Sequence, residues 1–360
     1  MQPTVSLSGN LPRVLMVGPG RDVRGGVSTV VNNYYALGLD RQIDLTYLTS
    51  MKNGSKLRKA LVFAQACLRF NGLMKQADIL HVHLSPRASF ARKAVFVERA
   101  HRMGKKIIIH QHGGNFHDFY YRESSPKKQE HIRRIFHMAD HVIVLSEEWQ
   151  KFFANGVCDP GRITVIHNGV IPPEESKTDY EDHQVLYLGL LNKMKGTDEL
   201  LEAVPSVVKE IPDAVFHLCG SGNLDSYRRR AEELGVAEHI RFPGWIDASE
   251  REKLFSVCST FILPSHIEGM PMSLLEAMGN GLASVATSVG GIPQIITNEK
   301  NGLLIPPEDP AAISCALLHL LSDRDLKKRI GTAGASTVRE RFHAAGGMKQ
   351  ILDIYRELAG

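Results

Sequence analysis

Short apolar runs alternate with longer segments of helical periodicity along almost the whole chain. In the first half, residues 13–18, 44–49, 79–84, 106–110, 141–145 and 163–166 read as strands, separated by helical patterns such as 88–103 and 127–137. A second series near 185–188, 214–218, 240–242, 260–263, 283–286 and 302–305 repeats the alternation. Continuous apolar strands alternating with helices predict α/β architecture, with doubly wound parallel sheets covered on both faces. The pattern is interrupted at 171–183, a polar, acidic and proline-containing stretch that reads as a linker. The chain therefore divides into a Rossmann-like domain over 1–170, the linker, and a second domain over 184–342. In the tail 343–360, residues 348–358 are apolar at helical spacing. Two such sheets place a site at the carboxyl ends of the strands, in a cleft between domains.

Composition narrows the partners. Lys and Arg number 43 against 39 Asp and Glu, a net charge of +4, too small to argue for nucleic acid. Five cysteines (Cys67, Cys158, Cys219, Cys258 and Cys315) form no Cys-x-x-Cys pair, which points to a reducing, cytoplasmic setting without disulfides or structural zinc. Residues 1–12 carry no basic-then-apolar signal pattern, and no apolar run approaches the roughly 20 residues of a span, so membrane contact is expected to be peripheral.

The candidate chemistry centres on 266–293. A buried strand leads into His266-Ile267-Glu268-Gly269-Met270-Pro271, a helical pattern from Pro271 carries Glu276, and Gly290-Gly291-Ile292-Pro293 follows. Pro271 reads as a first-turn residue, where a missing N–H costs nothing. A loop-to-helix turn of this kind suits a nucleotide diphosphate, because first-turn N–H groups are free donors and the helix dipole favours anions. Glu268 is placed to face a reacting sugar and Glu276 to accept from ribose hydroxyls. Earlier, Gly189-Leu190-Leu191-Asn192-Lys193-Met194-Lys195-Gly196 follows a strand, as do Cys219-Gly220-Ser221-Gly222 and Phe242-Pro243-Gly244-Trp245. In the first half, Gly25-Gly26 lies in a glycine-rich loop and Gln111-His112-Gly113-Gly114 ends a strand.

Two glutamates at this spacing, in this frame and in this order with the lysine loop, resemble the signature of the retaining GT-B glycosyltransferases of family 4. The resemblance implies two Rossmann-like domains facing a cleft, a nucleotide-diphosphate-sugar donor, and retention at the anomeric carbon. In bacteria such enzymes assemble polysaccharide or glycolipid, so a lipid-linked or saccharide acceptor at the inner face of the cytoplasmic membrane is implied too. It gives catalytic roles to His112, Lys195 and Glu268, with Lys195 on the diphosphate and His112 against the sugar. Gly25, Gly26, Gly220, Trp245, Gly269, Met270, Pro271 and Glu276 would bind the donor. It also implies that the last helix crosses back to the first domain. Leu190 stands where the family carries an arginine, which weakens the diphosphate clamp unless Lys193 compensates.

Gly18-x-Gly20 suggests a dinucleotide loop, but Val23 replaces the third glycine and the strand over 45–49 ends without a carboxylate, against a nicotinamide oxidoreductase. An epimerase or phosphorylase on the same fold, or a catalytically silent sugar-nucleotide binder, stays open. His81, His83, His110, His112 and His117 alternate suggestively, yet no Asp-x-Asp element lies among or beside them and no metal or other cofactor is expected. Residues 52–70 mix Lys52, Lys56, Arg58, Lys59 and Arg69 with Leu57, Leu61 and Leu68, a basic amphipathic helix suited either to anionic lipid or to packing on the sheet. Arg21, Arg24 and Arg87 lie in loops where an acceptor phosphate or plain solvent would meet them.

Overall fold

The computed structural model describes residues 11–177, 179–180 and 182–360. Residues 1–10 of the polar N-terminus and linker positions Thr178 and Glu181 lie outside the described residues. The chain forms two compact units, one up to His167 together with Ala344–Gly360, the other Asn168–His343.

The first unit holds β1 (Arg13–Gly18), β2 (Asp44–Thr49), β3 (Ile79–Leu84), β4 (Lys106–Gln111), β5 (His141–Val144) and β6 (Ile163–Val165). They form one sheet in the order β2-β1-β3-β4-β5-β6, with every pairing parallel. β3 is buried along its whole length, which is why it reads as an unbroken run. Successive side chains alternate between faces. Leu80, Val82 and Leu84 enter an apolar core with Phe70, Phe96 and Phe136. His81 and His83 point the other way, toward the side where the final helix, Ala344–Ala359, sets Tyr355.

The second unit holds β7 (Gln184–Leu188), β8 (Val215–Cys219), β9 (Ile240–Gly244), β10 (Thr260–Leu263), β11 (Ala283–Thr287) and β12 (Leu303–Ile305). Its order is β12-β11-β10-β7-β8-β9, again parallel throughout. The stretch read as a linker is part of this unit: Lys177 N–H donates to Asn280 O at 3.0 Å, its Nζ donates to Ser256 O at 2.9 Å, and Tyr180 is buried. Its acidic, proline-containing composition imitates a linker, while a few anchors fasten it.

Each sheet reverses its winding once, between β1 and β3 in the first and between β7 and β10 in the second. Adjacent strands that lead their connections in opposite directions leave a crevice at their carboxyl ends, and ligands of open α/β sheets bind there. The loops after β7 and β10 carry Lys195 and Glu268.

Candidate functional site

At the second unit's switch point the structure joins Lys195 and Glu268, 73 residues apart, in an ion pair between Nζ and Oε1. Glu268 is buried, and Ser265 Oγ–H donates to the same carboxylate oxygen at 2.8 Å. Lys195 ends a short 3-10 turn whose start is capped by Asn192, with Oδ1 accepting from Lys195 N–H at 3.0 Å. The loop after β10 is stapled to that turn: His266 N–H donates to Met194 O at 3.0 Å, and the His266 ring bonds Glu199 Oε1 at 3.0 Å. Glu199 sits in the first turn of the helix Thr197–Glu210, so a single side-chain contact couples the element behind Lys195 to the loop that carries Glu268.

The Gly290-Gly291 pair has a mechanical reason. A Cβ at Gly290 would lie 1.9 Å from Glu268 O, and one at Gly291 would lie 2.3 Å from Gly269 O. Gly291 N–H donates to Gly269 O at 2.8 Å, and Gly290 has φ 53°, so only glycines let this segment underlie the Glu268 loop. Met270 is buried, and its carbonyl accepts from Asn168 Nδ2 at 2.9 Å. Pro271 is the residue before the helix Met272–Gly279 rather than part of its first turn, with φ −73° and ψ 119°, and among the described residues no side-chain cap hydrogen bond closes that end. The extended ψ is what the chain needs to enter a helix from a loop.

Glu276, on that helix, is mostly buried and pairs with Arg251 Nη1 at 3.3 Å. Burial pushes its carboxyl above the usual range, and Arg251 acts in the opposite sense. Arg251 lies on the helix Ala248–Val257, which Asp247 and Glu250 start with a reciprocal capping box. Gly220 packs its α-carbon against the loop after β7, where a Cβ would meet Gly189 O at 1.6 Å, and its N–H donates to Gly244 O at 2.7 Å. Trp245 follows β9, 43% exposed. A cleft of about 470 Å³ opens between the loops after β7 and β8, lined by Leu190, Asn192, Lys193, Ser221, Gly222 and Tyr227. Leu190 and Lys193 are both exposed.

In the first unit, Gly25 precedes the helix Gly26–Ala36 with φ 146°, and a Cβ there would meet nothing within 4 Å. Arg21 bonds Asn32 Oδ1 at 2.9 Å and lies over the Tyr35 ring, while Arg87 pairs with Glu123. His112 follows β4, its N–H donating to Leu84 O at 2.8 Å, and its Nε2 meets His83 Nδ1 at 2.8 Å. Ring stacking joins His81 to His83 and His110, and His110 to His112 at a centroid distance of 4.1 Å. Burial drops the imidazolium pKa to about 3 for His81 and His112 and well below normal for His83 and His110. The nearby Lys93, buried with Nζ donating to Ser50 Oγ at 2.6 Å, falls to about 7 for the same reason.

Nitrogens of His81, His83 and His110 come within 4.8 Å of one another. The His81 ring is nevertheless tilted by only 22° from His83 and 16° from His110. Imidazole lone pairs lie in the ring plane, so near-parallel rings offer them side by side instead of aiming them at one point, and the group contains no carboxylate or thiolate. This geometry serves a packed array better than a metal ion.

Sequence reasoning missed Glu199, Ser265, Asn168 and Arg251, since nothing local marks a side chain that acts by reaching across the fold. It did not foresee the His83–His112 bond, although the alternation of histidines on both strands was the available signal.

A family model described as "Glycosyltransferase Family 4" matches residues 25–172, and one described as "Glycosyl transferases group 1" matches 173–337. An uncharacterized glycosyltransferase of Methanocaldococcus jannaschii is 28% identical over 211 residues, so the matched stretch spans 54% of each chain. A GDP-mannose-dependent alpha-(1-6)-phosphatidylinositol monomannoside mannosyltransferase of Mycolicibacterium smegmatis is 27% identical over 286 residues, 74% of this chain and 73% of the other. The solved structure of Anabaena HepE in complex with UDP-glucose superimposes with a TM-score of 0.73 at 17% identity, covering 96% of this chain and 99% of that one. Two adjoining family matches on two parallel six-stranded sheets agree with the likeness read from the motifs, and the chain belongs to the GT-B glycosyltransferases of family 4.

Proposed function

We propose that the chain is a retaining glycosyltransferase that moves a sugar from a nucleotide diphosphate to an acceptor hydroxyl. The observation that carries this reading is the Lys195–Glu268 pair at a sheet switch point, beside the uncapped N-terminus of the helix bearing Glu276. As the bond from the anomeric carbon to phosphate oxygen breaks, negative charge grows on the diphosphate and positive charge on the sugar. Lys195 and the free first-turn N–H groups answer the first, and the Glu268 carboxylate lies by the second. Groups aimed at developing charge stabilise the transition state more than the ground state. Glu276 accepts from ribose hydroxyls, the segments around Gly220 and Trp245 approach the base, and Gly269, Met270 and Pro271 lead the backbone to the phosphates. By the resemblance, His112, Gly25 and Gly26 of the first unit meet the donor sugar. Lysine and helix N–H groups replace a divalent ion on the diphosphate, so transfer proceeds without added metal.

The first test is transfer itself. UDP-glucose, UDP-N-acetylglucosamine and GDP-mannose are supplied with candidate saccharide and lipid acceptors, and the product's anomeric configuration is read by NMR. A nucleotide sugar present at 100 times its Kd should add about 2.7 kcal/mol of stability. A product of inverted configuration defeats the retaining assignment. Donor binding without transfer to any acceptor favours the silent binder that Leu190 leaves open.

A lipid-linked acceptor would be reached at an anionic bilayer, on the cytoplasmic side. The helix Lys56–Gln76 begins after Lys52, which pairs instead with Asp22 at 3.2 Å. One helix face is packed through Ala66, Phe70 and Met74, whereas Leu57, Leu61 and Leu68 are 70%, 56% and 83% exposed. These leucines recur at helical spacing with exposed Lys56, Arg58, Lys59 and Arg69 around them. Each basic residue near an anionic leaflet contributes about 1 kcal/mol. Among the described residues no helix is long and apolar enough to cross a membrane. Sedimentation with phosphatidylglycerol vesicles at low salt should be lost when Lys56, Arg58 and Lys59 become Glu. Failure of the unaltered chain to sediment ends the docking idea.

A further inference from the structure

We infer that His83 fixes His112 as the Nδ1–H tautomer, so that His112 offers its ligand a hydrogen-bond donor and never a lone pair. The two rings share one bond, between His83 Nδ1 and His112 Nε2, and a neutral imidazole carries one N–H. Either His83 donates from Nδ1 and His112 accepts at Nε2, or the reverse.

The other nitrogen of His83 decides between them. His83 Nε2 is buried and has no partner. If His112 donated, the His83 proton would sit on Nε2, leaving a buried N–H unsatisfied. If His83 donates, Nε2 keeps only a lone pair. Orphaned buried N–H groups are the rarer and costlier case, and the full desolvation penalty of such a donor is about 1–3 kcal/mol. His110 already has both ring nitrogens buried without partners, so the array cannot place a second unpaired N–H cheaply. His83 therefore donates, and the His112 proton resides on Nδ1.

The surroundings hold this arrangement in place. His83 and His110 are partners across β3 and β4, and His112 stacks on His110 while meeting His83 edge to edge. On the far side, His81 stacks on His83 and bonds Tyr355 of the final helix through Nδ1 at 2.5 Å. A ring held against His110 on one face and by His83 at Nε2 has Nδ1 left for a ligand. His83 touches no substrate in this account: it is a positioning residue. The consequence for transfer rests on the reading that His112 meets the donor sugar, where an N–H donor would address a sugar oxygen.

The tautomer is measurable without any reaction. In the full-length chain with 15N-labelled histidine, ring nitrogen–proton correlation spectra, with His112 assigned by its loss in His112→Asn, should show Nδ1 protonated and Nε2 bare. A proton on Nε2 overturns the assignment. His83→Phe, which keeps a ring but no donor, should lower kcat about tenfold, the equivalent of one hydrogen bond of about 1.4 kcal/mol, while affinity for the nucleoside diphosphate stays unchanged. His83→Asn, whose amide N–H replaces Nδ1–H, should recover most of that loss. Unchanged kcat in His83→Phe, with the Nδ1–H tautomer confirmed in the parent, overturns the positioning role. Unchanged kcat in His112→Ala instead defeats the reading of His112 at the sugar, and the tautomer result stands apart from it.

Discussion

The two units place polar side chains at the carboxyl ends of nearly equivalent sheets, but they treat charge differently. In the second unit, Lys195 meets Glu268 and Arg251 meets Glu276, and each carboxylate is the more buried partner. In the first, His81, His83, His110 and Lys93 are buried and His112 is half-buried; they bond to neutral groups or stack on one another, and desolvation holds all five toward their uncharged forms. Paired charge suits a surface that must receive a diphosphate, since an ammonium already aimed into a low-dielectric loop needs little reorganisation. The contrast is between paired charge in the second unit and neutral hydrogen bonding and stacking in the first.

The sharpest way to break the comparison is to remove one group from each side. Lys195→Ala should lower kcat by about 10²–10³, the roughly 3–4 kcal/mol carried by a donor aimed at developing charge. It also strands Glu268, whose other named partner is Ser265. His112→Ala should cost only about tenfold, the value of a neutral hydrogen bond. Steady-state kinetics on both variants settles the ranking, and equal losses would end the division of labour.

Acid should separate the units next. His81 and His112 titrate near 3 in the folded chain against an ordinary 6.5, and His83 and His110 shift the same way. Between those values the unfolded chain binds more protons, so stability is intact above 6.5 and is lost as pH falls below it, by at most about 1.4 kcal/mol per pH unit for each group. Lys93, near 7 instead of 10.5, adds stability that rises with pH from about 7 toward 10.5. The sequence has two tryptophans, and one lies in each unit, so Trp245→Phe leaves Trp149 to report on the first. Urea midpoints from Trp149 should drop from pH 8 to pH 5 more than those from Trp245 in Trp149→Phe. A larger acid loss in the second unit would contradict the burial pattern.

Glycine substitutions sharpen the contrast on a smaller scale. Gly290→Ala forces a Cβ against Glu268 O at a positive φ, and should cost about 1–3 kcal/mol of stability along with activity. Gly25→Ala shares the positive φ but meets open space, so it should cost less, about 1 kcal/mol. Thermal unfolding of the two variants gives the comparison directly.

Much of the fold was legible because its strands are buried on both faces and stand out as apolar runs between helical periods. Those of β2, β3 and β10 match residue for residue. Local composition and long-range anchoring disagree at 171–183, where Lys177 bonds Ser256 and Tyr180 is buried in a stretch whose acids and prolines read as a linker. At the candidate site, Lys195 and Glu268 were readable because each sits in a glycine-framed loop after a strand. Glu199 and Arg251 were not, because their meaning lies in contacts with His266 and Glu276 that are set by packing of distant elements. The histidine spacing showed that His81 and His83 share a face. Only the register of β3 on β4 shows that His83 faces His110 and that His112 continues the stack.

Arg251 offers the finest test of how the second unit handles charge. On the proposed reading Glu276 accepts from ribose hydroxyls as a carboxylate, yet burial raises its pKa, and Arg251 opposes that rise. The pair is 3.3 Å apart, and the arginine side chain is 36% exposed, so water screens it and its worth is on the order of 0.2–1 kcal/mol. Arg251→Gln should therefore weaken binding of the nucleoside diphosphate by no more than about fivefold. The loss should be larger at pH 6 than at pH 8, because removing the cation raises the Glu276 pKa and increases its protonated fraction at the lower pH. Calorimetric titration with UDP and GDP at both values gives the sign. Tighter binding in the variant would mean that Arg251 competes with the ribose for Glu276, and that the second unit's charges are paired to keep the site closed to ligand instead of ready for it.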